Sequence, residues 1–125
     1  MKRLLILLAF LGFAGVAEAQ VCPGLTGATQ QYATEAITVS STAIGFTAAT
    51  YNDGVHVPLF AQVTLETNPI RVLATGKPPT SSVGELWTNS TNVKFTVCGQ
   101  AAITKFLAIR TGASDAAITV TYWSY

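Results

Sequence analysis

Charge is the scarcest commodity in this sequence. Of 125 residues, only seven are Lys or Arg and six are Asp or Glu. A chain so poor in cations lacks the basic footprint that neutralises phosphates, so nucleic acid is not expected as a partner. It also lacks a polybasic segment to hold it on anionic lipid. Histidine is almost missing: His56 stands alone. A serine-type triad would have to use it, and no G-x-S-x-G elbow accompanies it. Its setting among Val55, Val57 and Pro58, just after a turn, is that of a loop or strand-edge histidine. One histidine with two distant cysteines does not make a zinc site. There is no EF-hand loop, phosphate-binding glycine loop or dinucleotide fingerprint, so neither metal nor cofactor is expected.

The acids are equally unpromising as catalysts. Beyond the leader discussed below they are Glu35, Asp53, Glu66, Glu85 and Asp115. Glycosidase chemistry needs two carboxylates facing each other across a bond, and no spacing marks a pair. Solvated strand or turn positions account for each; Asp53 and Asp115 sit in turns, where such side chains bond local backbone. With no nucleophile–base pair, the chain is not expected to be an enzyme.

What is present begins with an export signal. Lys2 and Arg3 precede an apolar stretch from Leu4 to Val16, and Ala17-Glu18-Ala19 fits a small-x-small cleavage site before Gln20. The apolar run is shorter than the ~20 residues a membrane-spanning helix needs. A lipoprotein signal fits poorly, since Val21 stands before Cys22 where a small residue belongs. Cleavage removes Lys2, Arg3 and Glu18 and leaves five charges of each sign, a neutral mature protein with His56 uncharged. No later stretch is long and apolar enough to span a membrane. Secretion or delivery to a periplasm is expected. So few charges, among so much Thr, Ser and Ala, resist association poorly.

The mature chain is rich in Thr, Val, Ile and aromatics, which is strand composition. Apolar residues alternate with polar ones through Ile37–Ser40, Val63–Glu66, Ile70–Thr75, Val93–Val97 and Ile118–Trp123. Turn chemistry falls between them: Asn52-Asp53-Gly54, Asn68-Pro69, Gly76–Ser82, Thr88–Asn92 and Thr111–Asp115. This pattern predicts an all-β single domain, a β-sandwich of about seven or eight strands, with a barrel as the runner-up. Residues 35–125 are assigned to it, residues 1–19 to the cleavable signal helix and residues 20–34 to an N-terminal arm. Ala101-Ala102-Ile103 is the one place where a short helical turn fits, ahead of Phe106–Ile109.

Cysteine and aromatic residues supply the candidate sites. Cys22 opens the mature chain and Cys98 ends the Val93–Val97 run. Export permits a disulfide and an even count favours one; free thiols or a bridge between chains are the alternatives. A Cys22–Cys98 bridge within the chain is expected to staple the arm to the sandwich. Trp87 and Trp123, with Tyr122 and Tyr125, are the candidate platform for sugar rings, against a bland role in the core or an interface. Tyr122 and Trp123 must face opposite ways on a regular strand, so one is core and the other free. Asn89-Ser90-Thr91 matches a glycosylation acceptor, read here as a chance match in a Thr-rich turn.

Three segments carry a resemblance. Pro69–Gly84, P-I-R-V-L-A-T-G-K-P-P-T-S-S-V-G, resembles the "I-R-Y-x-x-D-G-x-x-P-T-S" strand-loop of small Ig-like sandwich domains such as the chitobiase C-terminal type, with Thr75 where that pattern has Asp. Together with Ile37–Ala49 and Lys105–Tyr122, it is similar to short exported proteins of tailed bacteriophages and environmental viral sequences. The resemblance implies an Ig-like sandwich and a virion-associated or surface component. The expected function is therefore a non-enzymatic structural or assembly protein, with protein partners or self-association. A carbohydrate-binding module using an exposed Trp, with a surface glycan as ligand, is the alternative.

Overall fold

A computed structural model describes residues 22–25, 27–89 and 93–125. The expected signal segment, residues 1–19, lies outside the described residues, as do Ser90 and Thr91 of the acceptor-like triplet. Among the described residues seven strands are formed: β1 (Gln30–Val39), β2 (Phe60–Leu65), β3 (Ile70–Leu73), β4 (Glu85–Trp87), β5 (Lys94–Cys98), β6 (Leu107–Arg110) and β7 (Ala116–Ser124). Two short helices interrupt them, α1 (Ala48–Tyr51) and α2 (Gln100–Lys105), the second where the short helical turn was expected. The strands make two antiparallel sheets, one ordered β1-β7-β2-β5 and the other β4-β3-β6. The expected all-β sandwich is the architecture found.

The strand order refines that expectation. Ile44 bridges Ala108 on the free side of β6, so the second sheet continues as Ile44-β6-β3-β4. Strands adjacent in sequence then occupy matching positions in the two sheets: β1 with Ile44, β7 with β6, β2 with β3, β5 with β4. This is the double Greek key of a jelly roll. In an immunoglobulin constant-type domain the first two strands are sheet neighbours, whereas here β7 runs between β1 and β2.

Period-2 alternation builds the core. Along β7, Ala116, Ile118, Val120, Tyr122 and Ser124 are buried while the residues between them are half-exposed. Ala61, Val63 and Leu65 of β2 and Ile37 and Val39 of β1 join the same layer. Ile70 and Val72 of β3, Trp87 of β4 and Ala108 of β6 answer from the second sheet. Phe46 closes one end by stacking on Phe106 at 4.0 Å. That approach needs Gly45, where a Cβ would stand 2.8 Å from the Phe106 carbonyl oxygen.

The arm is shorter than expected. β1 begins at Gln30 rather than beyond Thr34, pairing Gln30 with Ser124 and Gln31 with Trp123. A register shift between Gln31 and Ala33 breaks the alternation there, which hides the strand from a period-2 reading. The three-residue β4 went unread for a related reason: too short for a period, it is defined only by its pairing to β3. Cys22 and Cys98 are joined, with Cα atoms 5.5 Å apart and 76 positions apart in sequence. Closing so long a loop stabilises the fold by about 4–5 kcal/mol through the entropy of the unfolded chain.

Candidate binding faces

The titratable groups expected to do little chemistry are engaged in holding the fold. Asp53 accepts from the backbone N–H groups of Val55 and His56 at 2.9 and 2.7 Å, and its second oxygen lies 2.6 Å from His56 Nδ1. The His56 backbone N–H, then its ring, then the Val55 N–H hold the Asp53 carboxyl down at about 2. The imidazole lies flat on Tyr32, ring centroids 4.6 Å apart, and Tyr32 donates its hydroxyl to the Tyr51 carbonyl at 2.6 Å. Burial, and then the negative Asp53, push the Tyr32 hydroxyl up.

Glu35 accepts from the Thr47 backbone N–H at 3.0 Å and from the buried Tyr122 hydroxyl. Burial foremost, and the bond to Glu35 next, push Tyr122 well above the usual phenol range. This pair ties β7, β1 and the segment before α1 together, and Tyr51 of α1 packs on the inward-facing Tyr122. Asp115 pairs with Arg110 at 2.5 Å across the β6–β7 turn. Among the described residues no cluster of three His, Cys, Asp or Glu is placed to hold a metal ion.

The two tryptophans part company. Trp87 is only 4% exposed and stacks on Phe95 at 4.2 Å, with the Phe106 ring tilted against it at 5.8 Å. It bridges the sheets as core and offers no ring face to a sugar, so its place as a ligand-stacking residue is corrected. Its alternation with exposed Leu86 decides this, because the inward side of β4 falls on 87. Trp123 is half-exposed on the outer side of β7, while its neighbour Tyr122 is fully buried, the opposition expected of them.

The register assembles the outer face of the four-stranded sheet. Gln31, Trp123, Phe60 and Cys98 form one row across the strands. Thr34, Thr121, Gln62 and Thr96 form the next, and Ala36, Thr119, Thr64 and Lys94 the third. Glu66 lies beyond, beside Ala117, its backbone N–H donating to the Ala117 carbonyl at 2.8 Å. The face is hydroxyl- and amide-rich, with one charge of each sign at its far end. Trp123 and Phe60 stack on one another, centroids 5.6 Å apart and nearly parallel.

The outer face of the three-stranded sheet has the opposite chemistry. Arg71 pairs with Leu86 on one side and Ile109 on the other, and Leu73 pairs with Leu107. Leu86 is 48% exposed, and Val83, 55% exposed, stands in the loop leading into β4. The only charge, Arg71, is drawn aside: its guanidinium donates to the carbonyls of Ser81 and Gly84 at 2.9 and 2.8 Å. Its methylene stem then adds to the apolar surface. Composition signalled neither face, because membership depends on which strands are neighbours. A further apolar rim lies at the disulfide end, where Val55, Val57, Leu59 and Tyr125 line a shallow groove of about 380 Å³.

No protein-family model, curated protein or solved structure matches the chain.

Proposed function

We propose that the protein is an exported, non-enzymatic structural module that works by assembly, docking the outer face of its three-stranded sheet on the same face of a second copy. The observation that carries this reading is the apolar surface of Leu73, Leu86 and Leu107, from which the Arg71 guanidinium is held aside. Contiguous apolar surface of this kind marks interaction sites. Two such faces pack as sheets do in a sandwich, about 10 Å apart. The edges at β4 and β5 are the poorer candidates, since those strands have only three and five residues.

Export is supported by the leader-like first 19 residues and by the disulfide, a bond of oxidising compartments. No helix among the described residues is long and apolar enough to cross a membrane. The resemblance of segments 37–49, 69–84 and 105–122 to phage proteins points the assembly toward a virion or cell surface. Jelly rolls serve capsids and lectins alike, so the fold by itself carries neither reading. A non-enzymatic role is supported by the engagement of Glu35, Asp53 and Asp115 in structural bonds.

Size-exclusion chromatography with light scattering tests the proposal. Dimers or larger species are expected, and Leu86→Lys should return them to monomer with an unchanged circular dichroism spectrum. A strictly monomeric protein at high concentration overturns it.

A further inference from the structure

We infer that the outer face of the four-stranded sheet is a binding site for an uncharged polysaccharide, anchored on Trp123 and Phe60. The chemistry of that face carries it, independently of the assembly proposed for the opposite one.

Charge narrows the ligand first. In the rows that hold Trp123 and Thr121 there is no ionisable side chain apart from the bridged Cys98, and Lys94 and Glu66 stand at the far end. Such a surface offers nothing to phosphate, sulfate or uronate groups, which call for cations. It is also a poorer protein interface, because the buried core of one is enriched in apolar and aromatic side chains, whereas here the aromatic pair gives way to hydroxyls within one row.

What the face does offer is an aromatic shelf beside a field of neutral donors and acceptors. The near-parallel Trp123 and Phe60 rings provide the shelf. A pyranose ring presents its C–H groups to such a surface and its hydroxyls sideways. Sideways lie Thr121 and Gln62 in the next row and Thr119 and Thr64 in the third. Gln31 and Thr34 already bond one another at 2.9 Å, whereas those four make no side-chain hydrogen bond among the described residues. A threonine hydroxyl both donates and accepts, and a carboxamide does the same with two groups, which is what a sugar hydroxyl requires. The Trp123 Nε1–H is buried and has no hydrogen-bond partner among the described residues.

The rows also give the site a direction. Successive same-face residues on a strand are about 6.7 Å apart, so Trp123, Thr121 and Thr119 mark a track on the order of 13 Å. A chain of linked sugars lying along β7 meets the aromatic shelf first and two hydroxyl rows after it. Three strands flank or carry the track, so the groups are fixed before the ligand arrives, which limits the entropy lost on binding.

Affinity electrophoresis through gels containing a soluble β-glucan, an α-mannan, a galactan or a polyuronate tests this. Retardation by at least one of the three uncharged polymers is expected, with none in the polyuronate gel. Trp123→Ala should weaken the retardation at least tenfold. Thr121→Val, which keeps the strand and its shape, should weaken it several-fold if the hydroxyl field is used. Leu86→Lys, on the opposite face, should leave it unchanged, which separates this site from the assembly surface. Migration unaffected by all three uncharged polymers overturns the inference. So does retardation in the polyuronate gel alone, or binding that survives in both Trp123→Ala and Thr121→Val.

Discussion

The two sheets of this sandwich share a core and differ in almost everything else. The four-stranded sheet has strands of ten, nine, six and five residues, closed by the disulfide at its edge and armed outside with Thr, Gln and an aromatic pair. The three-stranded sheet has strands of four, three and four residues, depends on the 75–84 loop, and is apolar outside. A hydroxylated face rests in water at no cost, whereas an apolar one is better covered. The comparison therefore assigns the two faces different occupants, and each half of it is open to attack.

The largest expected effect is on the longer sheet. Cys98→Ser opens the bridge to Cys22 and should cost about 2–5 kcal/mol, read as a lower midpoint in denaturant with the fold retained. Complete loss of folded signal would mean that the β core contributes less than its packing indicates. On the shorter sheet, Gly84→Ala is expected to cost roughly 2–3 kcal/mol. Gly84 has φ +121°, and a Cβ there would stand 3.0 Å from both the Val72 carbonyl oxygen and Pro79. Thermal denaturation measures the loss. A neutral outcome would show that the loop is not needed to shape the apolar face.

Tyr122→Phe deletes the hydroxyl given to Glu35 and should cost about 1.5 kcal/mol, read as a fall in Tm. Amide exchange sharpens the contrast between sheets directly. Val120, in a strand paired on both sides, should exchange only with global unfolding, and Leu86, in a three-residue edge strand, much faster. The smallest effect concerns the Asp53 turn. Its carboxyl is held below its ordinary 3.8, at about 2, so its support for the loop is complete above pH 4. That support is lost as pH falls through 2, because the unfolded carboxyl takes its proton first. A carboxyl titration followed by NMR, with a midpoint near 4 instead, would remove the turn's role.

Much of this was legible beforehand because it depends on local periodicity. Ile118, Val120 and Tyr122 alternate with Thr and Trp whatever lies beside them, and a two-sided strand needs that pattern to bury one side. Cys22 and Cys98 could be paired from count and compartment. The short β4 was not legible, since three residues hold no period, nor was the start of β1, where a bulge shifts the alternation at Tyr32. Trp87 and Trp123 looked alike in sequence because each follows a Leu or Tyr at a strand end. Only the inward direction of each strand tells them apart.

By itself, then, the sequence determined that the chain makes strands, that those strands each have an apolar and a polar side, and that almost no charge is available to any partner. Those properties belong to residues within one or two positions of each other. The tertiary structure decided which polar sides meet. By running β7 between β1 and β2 it set Trp123 beside Phe60 and Thr121 beside Gln62, residues separated by about half the chain. By folding the 75–84 loop back onto β3 it turned Arg71 aside and left its neighbour Leu86 bare. A face is a property of neighbouring strands, and the neighbours are chosen by the double Greek key that packs the core, not by the residues that the face displays.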